Sequence, residues 1–433
     1  MTRDTLLALG LLLSTASQLR PAGSAIGPGE VCLAIWVLWM LAREAARLGP
    51  PMTPALTRLL LFWALFIVAQ SLGTLTGVAI GDVHDPDLFI HDVMAYPILA
   101  ALSCLSVVEP GAAPRSHRVS WLLAALGTGF LALQLADGWG LIDIAPIDPW
   151  YWDRLRGFSQ NPNQLALLCV VLGFLSLHLA ETAVRIPTRI IAIACAILPI
   201  YVGRLTHSDS FALVLLTGGP IFVALKFRAW LLAFERGMTF RYAFAWTVVL
   251  ALPLILAAAA PLGSSIAAQT QAIAMGLSKE GGKDAVPEAE LRFSLWREAI
   301  ARGLGAGMLG LGPGPHLEIP PSLVAARQGE NEPKNLDHPP VNGTQNFEAH
   351  NTLLDLFTQG GLIAVLALLW LSATTLLVTY RARLSALTAL LCGLGIFSMV
   401  HLIIRIPIFW FAIALCLVAG TEAGRSSAIR DRG

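Results

Sequence analysis

The chain has 433 residues, of which 56% are hydrophobic and only 13% are Asp, Glu, Lys or Arg. A soluble domain usually carries about 25% charged residues. Apolar runs long enough to span a bilayer recur along the chain, so the composition excludes an ordinary soluble protein and indicates an all-α polytopic membrane protein. The formal net charge of +1 gives no reason to expect nucleic-acid binding.

Twelve apolar segments are predicted to cross the membrane. They lie near residues 5–19, 27–42, 59–79, 91–108, 120–137, 163–183, 189–203, 209–225, 243–261, 360–379, 386–403 and 407–421. A cleaved signal peptide is the alternative for the first segment. Six cysteines fall in these spans, where small apolar side chains pack well, and their spacing suggests neither a disulfide framework nor a metal site.

The distribution of Lys and Arg sets the orientation of the spans. With both termini in the cytoplasm, every short inside segment is basic, as cytoplasmic loops usually are. The chain then divides into spans one to nine at 1–261, a large periplasmic loop with amphipathic helices at 262–359, and spans ten to twelve with a cytoplasmic tail at 360–433. We expect a location in the inner membrane of a bacterium. The acidic outside segment 82–92 is expected to be solvated and to favour this orientation, with metal binding as the alternative.

Five arginines lie in short outside loops against this orientation bias: Arg20, Arg154, Arg156, Arg204 and Arg405. In the first motif, Arg154 and Arg156 precede Asn161-Pro162-Asn163 at the start of the sixth span. Proline suits a first helical turn, and a helix N-terminus beside arginines favours an anion. The alternative is a capped transmembrane helix with arginines that reach the headgroups. Trp150 and Trp152 nearby suit either sugar stacking or an interfacial belt.

The second motif runs from Gly203 to Ser210 and contains Arg204, His207 and Asp209. Polar groups near membrane depth are costly and usually functional. The alternative is that Ser208 or Asp209 caps the eighth span, with Arg204 paired to Asp209.

The third motif, Arg292-Phe-Ser-Leu-Trp296, has helical spacing and places Arg292 one turn from Trp296. Arg292 is either a site residue or an ordinary surface arginine. Glu298 and Arg302 are spaced as an i,i+4 pair, so Arg302 is expected to be solvated. The glycines between Gly303 and Gly314 predict turns rather than a phosphate loop, because no Gly-Lys-Ser/Thr follows them.

The fourth motif begins at His350, before an amphipathic helix in which Thr352 and Asp355 have the spacing of a capping box. A helix N-terminus disfavours imidazolium, so we expect His350 to be neutral and able to accept a proton. A purely structural histidine is the alternative. Gly360-Gly361 is expected to end or bend this helix before span ten.

The order of these motifs resembles the O-antigen ligase and polymerase superfamily. The resemblance rests on Arg-x-Gly followed by Asn-Pro-Asn before a span, Arg-Phe-x-x-Trp in a large loop, Gly-x-Gly-Pro-Gly, and His350-Asn351 eleven positions before Gly361. It covers about 154–361 together with the number of spans. One departure is Asp209, because the family usually has an arginine after the serine at this position.

The resemblance implies a membrane glycosyltransferase with a GT-C-like fold and no cofactor. It implies transfer of a preassembled glycan from undecaprenyl pyrophosphate to the hydroxyl of lipid A core or of another lipid-linked glycan, for lipopolysaccharide or exopolysaccharide synthesis. The reaction is expected to invert the anomeric centre without a metal. His350 matches the proposed catalytic base and Arg292 a pyrophosphate-binding arginine. Arg156 and Arg204 are further candidates for the pyrophosphate, and Asn161 and Asn163 for polar contacts at the helix start.

Ligase and polymerase remain equally compatible with the sequence. A twelve-span transporter or flippase is a rival, although the long loop does not fall at the midpoint that two similar halves would give. A non-catalytic assembly partner is a further alternative, suggested by Asp209.

Overall fold

The computed structural model describes residues 2–21, 26–47, 52–82, 86–108, 111–144, 147–232, 285–318 and 346–430. The helices in these ranges are α1 Thr2–Leu13, α2 Pro28–Ala45, α3 Pro54–Ile80, α4 Pro86–Ser106, α5 Ala112–Gly138, α6 Pro162–Thr182, α7 Ile186–Leu205, α8 Asp209–Leu232, α9 Ala285–Gly305, α10 Thr352–Arg381, α11 Ser385–Ser398 and α12 Pro407–Arg430. The strands are β1 Trp150–Tyr151, β2 Arg154–Leu155, β3 Leu317–Glu318 and β4 Asn346–Phe347.

Helices overlap eleven of the twelve predicted spans, and the remaining prediction, 243–261, lies outside the described residues. Seven helices in the described part of the chain are long and apolar enough to cross a membrane, and two shorter apolar helices accompany them. The protein is therefore a helical, multi-pass membrane protein. The number of crossings stays a prediction.

Local sequence signals start the helices that reach the site. Asn161 is the N-cap of α6, where its side-chain oxygen accepts from the amide of Asn163 at 2.8 Å, and Pro162 occupies the first helical position. Thr53 and Pro54 begin α3 in the same way. Such caps bond backbone donors that a helix start leaves without partners. Each cap stabilises the protein by about 1 kcal/mol.

Helix α6 is the most buried of the long helices and packs against α5, α7, α8 and α11. Helix α12 packs against α3, α4, α5 and α10. An aromatic cluster joins α3 and α12, with the rings of Trp63 and Trp410 4.5 Å apart, and Tyr96 of α4 lies 4.8 Å from Phe66. These contacts fix α3, α4 and α12 relative to one another beside the site described below.

The segment that precedes α6 is held by Gln18, which lies in a short 3-10 helix, Ser17–Leu19, after α1. The amide of Gln18 donates to the carbonyls of Asp148, Gly157 and Ser159 at 2.8–2.9 Å. Strands β1 and β2 form a short antiparallel pair in this segment. The start of α6 is therefore positioned by a polar contact from a helix more than 100 residues earlier.

Helix α10 breaks at Gly361, as the paired glycines predict, because this residue has φ 62° and ψ −159°. The glycine-rich turns after α9 pack directly on the break. The amides of Leu311 and Gly312 donate to the carbonyls of Thr358 and Gln359 at 2.7 and 2.8 Å, and Leu362 donates to Met308 at 2.9 Å. These glycines form turns that clamp a helix break, which agrees with the turn prediction.

The predicted i,i+4 pair of Glu298 and Arg302 forms, but the prediction that Arg302 and Asp82 are merely solvated is wrong. Arg302 pairs with Glu298 at 3.0 Å, with Asp82 at 3.2 Å and with Glu318 at 2.7 Å. Burial alone would lower the pKa of Arg302, but the three carboxylates raise it above its ordinary value. Nδ1 of His316 lies 2.8 Å from the second carboxylate oxygen of Asp82. This cluster ties the C-terminal end of α3 to α9 and β3.

Candidate active site

His350 lies in a constrained turn immediately before α10. Its φ is +50°, which is uncommon for a residue other than glycine. Asp355 holds the backbone on both sides of it, since one carboxylate oxygen accepts from Ala349 N at 2.6 Å and the other from Asn351 N at 3.1 Å. Strained backbone that is fixed by its surroundings is concentrated at functional sites.

The N-cap of α10 is Asn351 rather than Thr352, so the predicted capping box was misplaced by one residue. Asn351 accepts from the amides of Leu353 and Leu354 at 3.0 and 3.2 Å. The hydroxyl of Thr352 instead donates to the carbonyl of His401 at 2.6 Å and accepts from Ile403 N at 3.1 Å. The start of α10 is thereby joined to the segment between α11 and α12.

Helix α9 also contacts the turn that carries His350. The indole of Trp296 donates to the carbonyl of Ala349 at 3.0 Å. Arg292 lies in the same helix, one turn before Trp296, and its side chain is outside the described residues. The Arg-Phe-x-x-Trp motif therefore places Arg292 one helical turn from the residue that contacts the His350 turn.

A cavity of about 370 Å³ opens beside His350. Its wall comes from the ends of α1 and α2, the middle of α4, the start of α6, the turn before α10 and the segment between α11 and α12. The polar lining residues are Ser14, Thr15, Arg20, Glu30, Gln160, Asn161, Asn163, Gln164, Glu348, His350, His401 and Arg405. Its volume is in the range of about 300–1,000 Å³ that is typical of small-molecule sites.

The structure brings together three of the predicted site residues, since His350, Asn161 and Asn163 line this one cavity. Neither Arg156 nor Arg204 is among the lining residues that the structure describes. Arg156 pairs with Asp148 at 2.8 Å and lies over the ring of Tyr151 at 5.6 Å. Arg204 is exposed in the last turn of α7. The predicted pyrophosphate contacts of both arginines stay predictions.

Arg154 does not line the described part of the cavity, but it contacts a residue that does. Its guanidinium donates to the side-chain oxygen of Asn163 at 3.3 Å and to the carbonyl of Thr206 at 3.1 Å. It therefore connects the cavity-lining start of α6 to the turn between α7 and α8, next to Arg204.

Two arginines of the cavity wall were grouped by the sequence with the outside arginines but not proposed for the site. Arg20 forms an ion pair with Glu30. Arg405 forms ion pairs with Asp92, at 2.6 Å, and with Glu348. Burial alone would lower the pKa of Arg405, but the Glu348 and Asp92 carboxylates raise it well above its ordinary value. The sequence signal for Arg20 and Arg405 was their position in short outside loops, where arginine is disfavoured.

His401 is a second imidazole in the cavity wall that sequence reasoning missed. Its Nε2 lies 2.9 Å from the hydroxyl of Ser210, and its ring is 4.8 Å from that of Phe397. It stands in a short segment after α11 without a motif around it. Only the packing of α8, α10 and α11 shows that it reaches the site.

The fold and the site define a multi-pass helical membrane protein with a polar cavity built from several helix ends. Residues 194–369 match the model of the O-antigen ligase family, which confirms the resemblance inferred from the motifs over this segment. The match indicates a ligase or polymerase role in glycan assembly, with lipid-linked glycans as substrates. A comparison with curated proteins finds no match.

Proposed function

We propose that this protein transfers a glycan from undecaprenyl pyrophosphate to a sugar hydroxyl at the periplasmic face of the bacterial inner membrane. The observation that carries the proposal is the position of His350. This histidine belongs to the segment that matches the O-antigen ligase family, and it lines the cavity together with Asn161 and Asn163, which lie outside that segment.

In the proposed reaction His350 is the general base. The acceptor hydroxyl attacks the anomeric carbon of the donor sugar while its proton passes to the imidazole. The bond between that carbon and the phosphate oxygen breaks, and undecaprenyl pyrophosphate leaves with both electrons of the bond. Attack opposite the leaving group inverts the anomeric centre. General base catalysis of this kind contributes about 10²- to 10⁴-fold to the rate.

The pyrophosphate requires positive charge as it leaves, and arginine is well suited to this because its planar donors match phosphate oxygens. Arg154 is supported by its contact with Asn163 at the cavity wall. Arg292 is supported by the hydrogen bond from Trp296, one turn away, to the backbone next to His350. Arg204 and Arg156, which do not line the described part of the cavity wall, are retained as candidates for the pyrophosphate. With these side chains the reaction needs no metal ion.

A transfer assay with membrane vesicles and a lipid-linked donor tests the proposal. Wild-type protein is expected to release undecaprenyl pyrophosphate and to form a glycosidic product, whereas His350→Ala reduces the rate by at least about 100-fold. His117→Ala is the matched control, because His117 is exposed in the first turns of α5, away from the cavity. Transfer by His350→Ala at the wild-type rate would remove this residue from the mechanism.

The same assay separates the two reaction types and the rival classes. A ladder of products from lipid-linked repeats identifies a polymerase, and a single addition to lipid A core identifies a ligase. Movement of the lipid-linked glycan between leaflets without a covalent product identifies a flippase. A non-catalytic partner gives neither result when it is purified alone.

A further inference from the structure

The cavity beside His350 has no excess of positive charge in the part of its wall that the structure describes. Its charged lining residues are two arginines, Arg20 and Arg405, and two glutamates, Glu30 and Glu348. Each arginine is already paired with a lining glutamate, and Arg405 is also paired with the buried Asp92. A ligand that carries a carboxylate or a phosphate would therefore lie beside carboxylates as well as guanidinium groups.

The start of α6 adds little attraction for an anion. The backbone amide of Asn163 donates to the side-chain oxygen of Asn161 at 2.8 Å. The backbone amide of Gln164 donates to the backbone carbonyl of Asn161 at 3.0 Å. Because these first donors of the helix are occupied, they are not free to bind phosphate oxygens. What α6 presents to the cavity is a set of side-chain amides.

Apart from the imidazoles of His350 and His401, the rest of the polar wall consists of uncharged groups that can bond sugar hydroxyls. Amide side chains line the cavity at Gln160, Asn161, Asn163 and Gln164, and hydroxyls line it at Ser14 and Thr15. An amide can donate and accept hydrogen bonds, and a carboxylate accepts them, so neighbouring hydroxyls of one sugar ring can be bonded together. A buried hydroxyl without such partners would cost free energy.

We infer that this cavity holds an uncharged sugar of the acceptor and discriminates against a sugar that carries a carboxylate or a phosphate. The inference rests on the proposed function and specifies the substrate class of the same site. The acceptor hydroxyl lies beside His350 in the charge-balanced cavity. The donor pyrophosphate lies at the rim, where Arg154 contacts Asn163 and the turn after α7.

Binding of two small probes tests this selectivity. Methyl β-glucoside and methyl β-glucuronide have the same ring, and only the second carries a carboxylate at pH 7. Their affinities for purified full-length protein in lipid nanodiscs are measured by saturation-transfer NMR. We expect the neutral sugar to bind at least about tenfold more tightly, because the lining arginines are already paired and do not offset the free energy needed to remove the carboxylate of the glucuronide from water.

Two substitutions locate the selectivity in the cavity. Glu30→Gln and Glu348→Gln each remove one lining carboxylate, and each is expected to reduce the preference for the neutral sugar by at least about threefold. Two positions are used because Glu348 adjoins the His350 turn, whereas the half-buried Glu30 side chain is 28% exposed and tolerates replacement. Asp148→Asn is the control, because it removes the carboxylate of an arginine pair outside the cavity wall and leaves the preference unchanged.

Equal or tighter binding of the glucuronide to the wild-type protein overturns the inference, as does failure of both sugars to bind. The inference is also contradicted if Asp148→Asn reduces the preference for the neutral sugar as much as Glu30→Gln and Glu348→Gln do. Transfer measured in parallel distinguishes this failure from failure of the proposed function. Glycan transfer without selectivity refutes only the inference, whereas selective binding without transfer to any acceptor refutes the proposed function and leaves a neutral-sugar site.

Discussion

His350 combines a reactive side chain with a backbone conformation that few residues tolerate. Its φ of +50° is held by the two hydrogen bonds of Asp355 and by the hydrogen bond of Trp296 to the neighbouring carbonyl. Asparagine adopts this conformation readily, whereas a β-branched residue does so only under strain. Substitutions at this position can therefore separate the chemistry of the ring from the stability of the turn.

We expect His350→Asn to reduce the rate of transfer by at least about 100-fold. Its free energy of unfolding should stay within about 1 kcal/mol of the wild-type value. His350→Val should lose the same activity and also about 1–2 kcal/mol of stability, because its side chain disfavours positive φ. Unfolding is followed in detergent micelles by titration with SDS, and transfer is followed in vesicles. Equal stability of the two variants would show that the turn is not strained.

At the scale of elements, the break in α10 is held by close contacts between backbones. A Cβ atom at Gly361 would lie 2.1 Å from the carbonyl oxygen of Met308, and the backbone angles there are nearly exclusive to glycine. On the other side, a Cβ atom at Gly73 of α3 would lie 2.2 Å from the carbonyl oxygen of Gln359. The three segments can approach this closely because each of these contacts is made at a glycine.

Gly361→Ala is expected to destabilise the protein by about 3 kcal/mol or more, through strain and overlap with the turn after α9. Gly305→Ala is the control, because a Cβ atom there has no neighbour within 4 Å and its φ is not in the left-handed region. The comparison is made by SDS titration and by the yield of monodisperse protein. Similar behaviour of the two variants would contradict a clamped break.

At the scale of the whole molecule, Arg405 connects parts of the chain that are distant in sequence. Its guanidinium joins Asp92 of α4 to Glu348, two residues before His350, and it directly precedes α12. Tyr96 of α4 donates to Gln359 of α10 at 2.9 Å in the same region. Ion pairs among three segments therefore hold the turn that carries His350.

Arg405→Met should cost about 3–5 kcal/mol, because it leaves two carboxylates, one of them buried, without their counter-charge. Arg156→Met is the control, since the partner of Arg156, Asp148, is exposed and such a surface pair contributes at most about 1 kcal/mol. Stability is read from heat-induced loss of monodisperse protein. A loss for Arg405→Met no larger than for the control would show that the cluster does not hold the site together.

The orientation proposed for the molecule is also open to test, because α6 separates two exposed positions. Trp152 precedes the start of α6 and is 66% exposed, whereas Val184 follows its end and is 95% exposed. In whole cells, a maleimide that does not cross the inner membrane should label Trp152→Cys and leave Val184→Cys unlabelled until the membrane is permeabilised. The unsubstituted protein gives the background from its own six cysteines. Labelling in the opposite order would place the cavity in the cytoplasm.

The sequence by itself determined the helical, membrane-spanning class of the protein and the approximate bounds of most helices, and it predicted a site at His350. These features follow from local physical causes: apolar length, capping residues such as Asn161, and the two glycines that break α10. It also determined the resemblance to the O-antigen ligase family, because the motifs recur in order.

Only the tertiary structure decided which polar side chains share the site. Arg20, His401 and Arg405 lie in short segments without distinctive neighbours, and they reach His350 because α1, α8, α10, α11 and α12 pack together. The charge balance of the cavity was equally hidden, since Glu30, Glu348 and Asp92 acquire their arginine partners only on folding. Local sequence records the period and ends of helices, whereas an ion pair across the fold depends on how the helices pack.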